Sequence, residues 1–561
     1  MKCFGFLQML LLSALIGCRP ELPPTSTITV DMESVGTPVN HGLYGLSLEG
    51  MERSDESGLY AELIRNQGFE RGDSLPGWRP LSYGSYLRLN PFIPSSPSDP
   101  HSLIVSVYVS SQFRRGGVIA EGYEGIPIRK GEKYRLSFYM RTSTSVTPVP
   151  VQVALEDSAA SRLLSRVYEV LPSYEWVRHS HTFTATEDTN SASLTFSIQQ
   201  SSFFWIDRVS LLPEAAWKKG AHSLRPDLME KIAALAPAFV LYPRANTEAG
   251  LQDYMQLCKD LQAEPLLEPA QGLPATWVHA WAMAGENKGT LRDAVAEACF
   301  FIRAENAPQD FERIAYTPLA AYAQEEHPAA PLISFNNHTS IVSPSYYLLQ
   351  MFARGRGDAL LKTEVSTYAR PQLACSDSTH YESSALLTPA GEGEKVLLRA
   401  GRIHWSLGGG RSELYLCSGA LKDSLAAQPF AFSGEQPARM VCSYDTVRCY
   451  IDRRLIHEAI LPSMPSLVAN ATGDKQSQSI LLKVVNTTFH NEISQINIRG
   501  ASLDKQAQML QLSGLPEGRN TFDQPRQVEP VEQTITLTTQ GGAFQYAFPP
   551  HSITILRLTY R

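Results

Sequence analysis

Long apolar runs are nearly absent from this 561-residue chain. Beyond the stretch from Phe4 to Ile16, no segment offers the roughly 20 apolar residues that a membrane helix needs. Positive charge is also short. With 49 Lys and Arg against 56 Asp and Glu, the net charge is -7, which leaves no basic stripe for phosphates and argues against a nucleic-acid partner. Only eight cysteines occur, none at metal-ligand spacing. Gly408-Gly-Gly410 has no Lys-Ser/Thr after it and reads as a turn rather than a phosphate cradle. No triad signature appears either, so neither a metal nor a cofactor is expected.

What is present describes a folded, exported protein. Hydrophobic content of 43% and charged content of 19% are ordinary for a soluble chain, and the length calls for several cores. Lys2, the apolar stretch to Ile16 and Leu15-Ile16-Gly17-Cys18 read as an export signal ending in a bacterial lipobox. The expectation is cleavage before Cys18, lipidation of its thiol, a tether over 18–26 and a place on a cell-envelope membrane. An ordinary signal peptide with a chance cysteine is the alternative. Cys258 and Cys299 fall on apolar helix faces and read as core, while Cys375 with Cys417, or Cys442 with Cys449, could pair in an oxidising envelope.

The fold class expected is multidomain β and α/β. Residues 27–65 open with a strand. Short alternating strands with turn signals fill 66–214, as in a β-sandwich. Over 215–358 the pattern turns to α/β. Leu228, Ile232 and Leu235 repeat at helical spacing before the apolar strand Phe239 to Tyr242, and Leu251, Tyr254, Met255 and Cys258 mark a second amphipathic helix. A strand follows at 263–268. Thr290 is a predicted N-cap with Asp293 three residues on, and Leu291, Val295 and Ala298 share one face. Strands return over 359–465 and again over 466–561.

Several strings carry a resemblance. Gly58-Leu-Tyr-Ala-Glu-Leu-Ile-Arg-Asn-Gln-Gly-Phe-Glu70, Asp310-Phe-Glu-Arg-Ile-Ala-Tyr-Thr-Pro-Leu319 and Pro331-Leu-Ile-Ser-Phe335 resemble, in the same order, segments of the α-L-arabinofuranosidases of glycoside hydrolase family 51. Gly68-Phe-Glu70, Pro76-Gly-Trp78 and Phe204-Trp-Ile-Asp-Arg-Val-Ser-Leu-Leu212 are similar to a family 4 type carbohydrate-binding module. Val447-Arg-Cys-Tyr-Ile-Asp452 is similar to laminin-G or concanavalin-like sandwiches. The resemblance implies a sugar-binding role for Glu49 and places Asn246 in a loop, Pro243-Arg-Ala-Asn246, where the family carries Pro-Gly-Gly. Trp78, Tyr83 and Tyr86 are candidates for stacking on sugars, although a Trp in a Gly-Trp pair also serves as a core anchor.

The same resemblance implies a catalytic (β/α)8 barrel, and here the chain departs from it. The family's nucleophile sits in a Gly-Glu-Tyr-Ala-like strand end, and the matching residues are His279-Ala280-Trp281-Ala282. Alanine stands where a carboxylate should be. The acid/base glutamate belongs to a Gly-Asn-Glu motif that occurs nowhere in the chain. Between the strand at 263–268 and the helix after Gly289 lie too few residues for the third to sixth strand-helix units, each about 30 residues long. The expected core is therefore a shortened barrel remnant. Glu248, Glu268 and Glu286 are the carboxylates near strand ends that could substitute, against the plain reading of three solvated loop acids. Three functions are consistent with these residues: a lipid-anchored binder of arabinose-containing glycans without hydrolysis, an active arabinofuranosidase with relocated carboxylates, or a structural subunit of an envelope complex with a protein partner.

Overall fold

The computed structural model describes residues 24–34, 36–48, 61–70, 75–97, 100–109, 115–214, 225–242, 248–268, 277–281, 289–323, 329–367, 369–370, 380–387, 395–400, 403–418, 421–431, 435–443, 446–460 and 464–561. Glu49, Asn246, Glu286, Cys18 and Cys375 lie outside these residues. The described chain is mostly β with four helices.

Five strands form one parallel sheet. Across it run Glu264–Leu267, Phe239–Tyr242, Tyr44–Ser47, Arg313–Thr317 and Trp277–Trp281. Parallel neighbours need helical crossovers, and these are supplied by α1 (Pro226–Ala234), α2 (Glu248–Leu261) and α3 (Leu291–Asn306). A fourth helix, α4 (Pro344–Arg354), follows a three-stranded sheet over 320–342 and packs on α3.

Local sequence explains the helix ends. Thr290 and Asp293 form a reciprocal capping box at α3, and Ser343 caps α4 ahead of Pro344, whose missing N–H costs nothing at that position. Leu291, Val295, Ala298, Phe301 and Ile302 are buried, as the helical spacing predicts. Each large side chain buried this way contributes about 1.5–3 kcal/mol. Phe301 packs between Tyr44 and Phe352, with ring centroids 4.9 and 5.6 Å away. On α2 the buried face is Tyr254, Leu257 and Cys258; Met255, expected on it, is instead 48% exposed.

The N-terminal module is a sandwich. One sheet runs Val177–Thr184, Lys133–Arg141, Ser202–Pro213, Ser102–Val107, Ser85–Asn90; the other runs Tyr168–Val170, Val151–Glu156, Thr189–Ile198, Gly116–Ala120, Trp78–Pro80. Two four-stranded sheets over 380–460 enclose a second core around Trp405, Met440 and Cys449. The C-terminal sheet draws in distant chain. Ser26–Asp31 lies parallel to Glu492–Arg499, and Ala359–Ser366, grouped by sequence with the 359–465 module, pairs instead with Ser26–Asp31 and Leu467–Asp474. Cys442 and Cys449 face the 380–460 core and are not joined in a disulfide, so the pairing considered for them is not formed. Cys258 and Cys299 form no disulfide either.

Candidate functional site

In parallel α/β sheets the chemistry gathers at the carboxyl ends of the strands. Here those ends are Ser47, Tyr242, Leu267, Thr317 and Trp281. Backbone bonds hold them level. The Leu48 N–H donates to Leu241 O at 3.0 Å, and that of Glu268 donates to Tyr242 O at 3.0 Å. The Tyr254 hydroxyl donates to Val240 O (2.8 Å) and lies 3.0 Å from Leu266 O, tying α2 across two strands.

The sheet has two unlike faces. Tyr44, Leu46, Ile314 and Tyr316 join the core formed with the helices, whereas Phe239, Leu241 and Ala315 form a small cluster on the other side. A Cβ on Gly45 would stand 2.5 Å from the Phe239 ring, so only glycine lets that ring lie over the central strand. Arg313 covers the same ring at 5.1 Å and pairs with Glu264 at 2.9 Å.

Ala280 lies on the edge strand Trp277–Trp281, in register with Tyr316. Its alanine identity leaves no carboxyl at this position. Glu268 follows the strand at the opposite edge, four strand spacings or about 19 Å along the sheet. Retaining hydrolysis needs two carboxyl groups about 5 Å apart. Glu248 starts α2, whose side chains there are outside the described set.

Two buried carboxyls that sequence reading missed sit behind the sheet. Glu297 of α3 accepts from the Tyr316 hydroxyl at 2.9 Å, and burial pushes its pKa up to about 8. Glu305, 5% exposed, holds the fully buried Lys483 at 2.6 and 2.7 Å and accepts from Tyr44 (2.9 Å) and from Asn470 (2.8 Å). This network joins α3 to the C-terminal sheet. Both are bonded to tyrosines of the helix-packed face of the sheet. Only the apolar setting of Lys483, in Ile480-Leu-Leu-Lys-Val-Val485, signalled its burial in the sequence.

In the sandwich, Trp78 is corrected from sugar-stacking candidate to core anchor. It is 6% exposed, packs against Phe69 at 5.0 Å, and its indole N–H donates to Arg65 O at 2.8 Å. A buried indole needs such a partner. Tyr83 and Tyr86, by contrast, are 91% and 61% exposed at the edge strand Ser85–Asn90 and its approach. Tyr86 is in register with Ser106, which is in register with Phe203. Phe203 went unnoticed in the sequence; the alternation through Ser202–Pro213 could have separated it from the buried Phe204.

Residues 61–202 match a carbohydrate binding domain, and residues 275–552 match the α-L-arabinofuranosidase C-terminal domain. An extracellular exo-α-L-arabinofuranosidase of Streptomyces chartreusis is 30% identical over 234 residues, 41% of this chain and 27% of that protein. The chain is similar to the α-L-arabinofuranosidases of glycoside hydrolase family 51. α-L-Arabinofuranosidase 1 of Arabidopsis thaliana is 26% identical over 266 residues, 43% of this chain and 36% of its own length. The aligned part thus spans about a third of these arabinofuranosidases. The arabinose-bound MgGH51 α-L-arabinofuranosidase superposes with a TM-score of 0.68 over 95% of this chain and 100% of that one, at 17% identity, which shows a shared fold.

Proposed function

We propose that this protein is an arabinofuranosidase-family glycan binder that has lost hydrolysis. What supports the reading is the edge strand Trp277–Trp281 in a parallel sheet of five described strands, where the family resemblance aligns Ala280 with the nucleophile. In this reading the sheet is a barrel remnant, and its two edges mark where the strand bearing the acid/base glutamate has gone. A methyl group cannot form a glycosyl ester, and without a partner acid the leaving oxygen stays unprotonated. The ligands are arabinose-containing polysaccharides or oligosaccharides, a class that follows from the relatives' names. Glu49 and Asn246 would contact sugar at the strand ends, and Tyr83 and Tyr86 at the sandwich edge. A lipid anchor at Cys18 would hold the chain on the cell envelope, within reach of a protein partner there.

The second reading keeps hydrolysis with relocated carboxylates. Glu268 is its best-described candidate, but its place on the far edge from Trp281 weighs against pairing with Glu286, which follows that strand. Incubation with 4-nitrophenyl α-L-arabinofuranoside separates the two. No release of 4-nitrophenol, together with retardation of the protein in an arabinan gel, supports the binder. Turnover that disappears in Glu268→Gln would support the enzyme.

A further inference from the structure

The sandwich's two sheets present opposite chemistry. On the sheet ending in Trp78–Pro80, Ser193, Thr195 and Ser197 are buried, and Arg115 is locked in a two-point pair with Glu156 at 2.8 and 2.7 Å. The other sheet is different. Its five strands carry Arg88, Lys133, Arg135, Arg141, Arg178 and Arg208 against a single carboxylate, Asp207, although the whole chain is net negative. Asp207 is fully buried and accepts from the N–H groups of Ser95 and Arg208. Among the described residues, Arg88, Arg135, Arg141 and Arg178 form no ion pair.

Register places these cations beside the aromatic row. Tyr86, Ser106 and Phe203 run across three adjacent strands, so the two rings are two strand spacings or about 10 Å apart. That is roughly the span of two consecutive sugar rings in an extended chain. The next row holds Arg88, Ile104, Trp205 and Arg141. Arg141 lies over the Trp205 ring at 5.8 Å, which fixes its guanidinium. In the row beyond, Tyr139 is paired with Arg178. Tyr86 and Tyr108, at 61% and 71% exposed, mark the edge of the face as open, whereas Trp205 and Asp207 at its centre are buried.

We infer that this outer face binds a polysaccharide bearing uronic-acid carboxylates. This rests on the glycan-binding reading and adds the charge of the ligand. Sugar rings stack on Tyr86 and Phe203, and ring carboxylates meet Arg88, Arg141 and Arg178, where planar guanidinium groups match carboxylate geometry. Arginines without ion-pair partners beside the exposed Tyr86 are matched by an acidic sugar polymer better than by neutral arabinan, which would leave Arg88, Arg141 and Arg178 without counter-charge.

Affinity electrophoresis of the full chain tests this with four polymers: polygalacturonate, the same polymer after carboxyl reduction, neutral arabinan, and dextran sulfate as a polyanion without uronate. Retardation by polygalacturonate that weakens with salt is expected, with carboxyl reduction lowering affinity at least tenfold. The exposed double substitution Arg88→Ala/Arg178→Ala should lower polygalacturonate affinity by a similar factor and leave thermal unfolding unchanged. Equal binding of the reduced polymer, equal or tighter binding of dextran sulfate, or an unaltered double variant overturns the inference. Arabinan binding without polygalacturonate binding defeats this inference alone; failure of every sugar polymer defeats the glycan-binding reading as well.

Discussion

Lys483→Met removes the cation from the buried network that ties α3 to the C-terminal sheet. The ammonium is fully buried and sits 2.6 and 2.7 Å from the two oxygens of Glu305, with the Phe352 ring 4.6 Å away. After the substitution, the donors left to Glu305 among the described residues are the Tyr44 hydroxyl and the Asn470 amide. Removing one member of a buried pair typically costs about 3–5 kcal/mol, because the remaining charge is stranded. Folded domains are stable by only about 5–15 kcal/mol, so the loss is large. Urea unfolding at neutral pH, followed by tryptophan fluorescence, should show it as a lower midpoint, with the α/β and C-terminal transitions separating. Adding Glu305→Gln should restore most of the loss. The new amide oxygen can still accept from Tyr44, and Asn470 can turn its side chain over, since its Oδ1 has no partner. A cost below about 1 kcal/mol, or a double variant no better than the single one, would refute this reasoning.

Glu297 predicts a pH dependence. Its carboxyl is raised from about 4.5 to about 8 by burial, so the stability it permits is fully present below pH 4.5 and is lost as pH rises through 8. The ceiling is roughly 4–5 kcal/mol. Glu297→Gln should match the parent near pH 4 and exceed it at pH 8.5 in thermal unfolding; parallel curves would contradict this. In the sandwich, Trp78→Ala should cost about 3–5 kcal/mol of that module's stability. Trp78→Phe, which loses the bond to Arg65 O, should leave glycan affinity unaltered below its melting point. Tyr86→Ala should do the reverse, keeping stability within about 0.5 kcal/mol while weakening glycan binding about tenfold, as titration calorimetry would read.

Local features were legible in the sequence. The Thr290–Asp293 box, the apolar face of α3 and the strand Phe239–Tyr242 follow from spacing alone. The meaning of the alanine at position 280 rests on the family resemblance rather than on spacing. What stayed hidden depends on distant chain. Nothing near Ser26–Asp31 specifies that it lies against Glu492–Arg499, and nothing near Glu305 specifies Lys483. Trp78 was read two ways because its neighbours Gly77 and Arg79 fit either an exposed or a buried ring. The bond from its indole to Arg65 O, across a turn, decides the matter. The arginine face was invisible for the same reason: its members come from separate strands, and only pairing brings them into adjacent rows.

The central claim is that family ancestry has left a protein that holds sugar and does not cut it. Its most direct test is to hold the purified chain with an α-linked arabino-oligosaccharide at high protein concentration for a day, and to follow both bound sugar and free arabinose by chromatography. Retained oligosaccharide of unchanged length is the predicted result. Shortening of the oligosaccharide with matching release of arabinose would contradict the account.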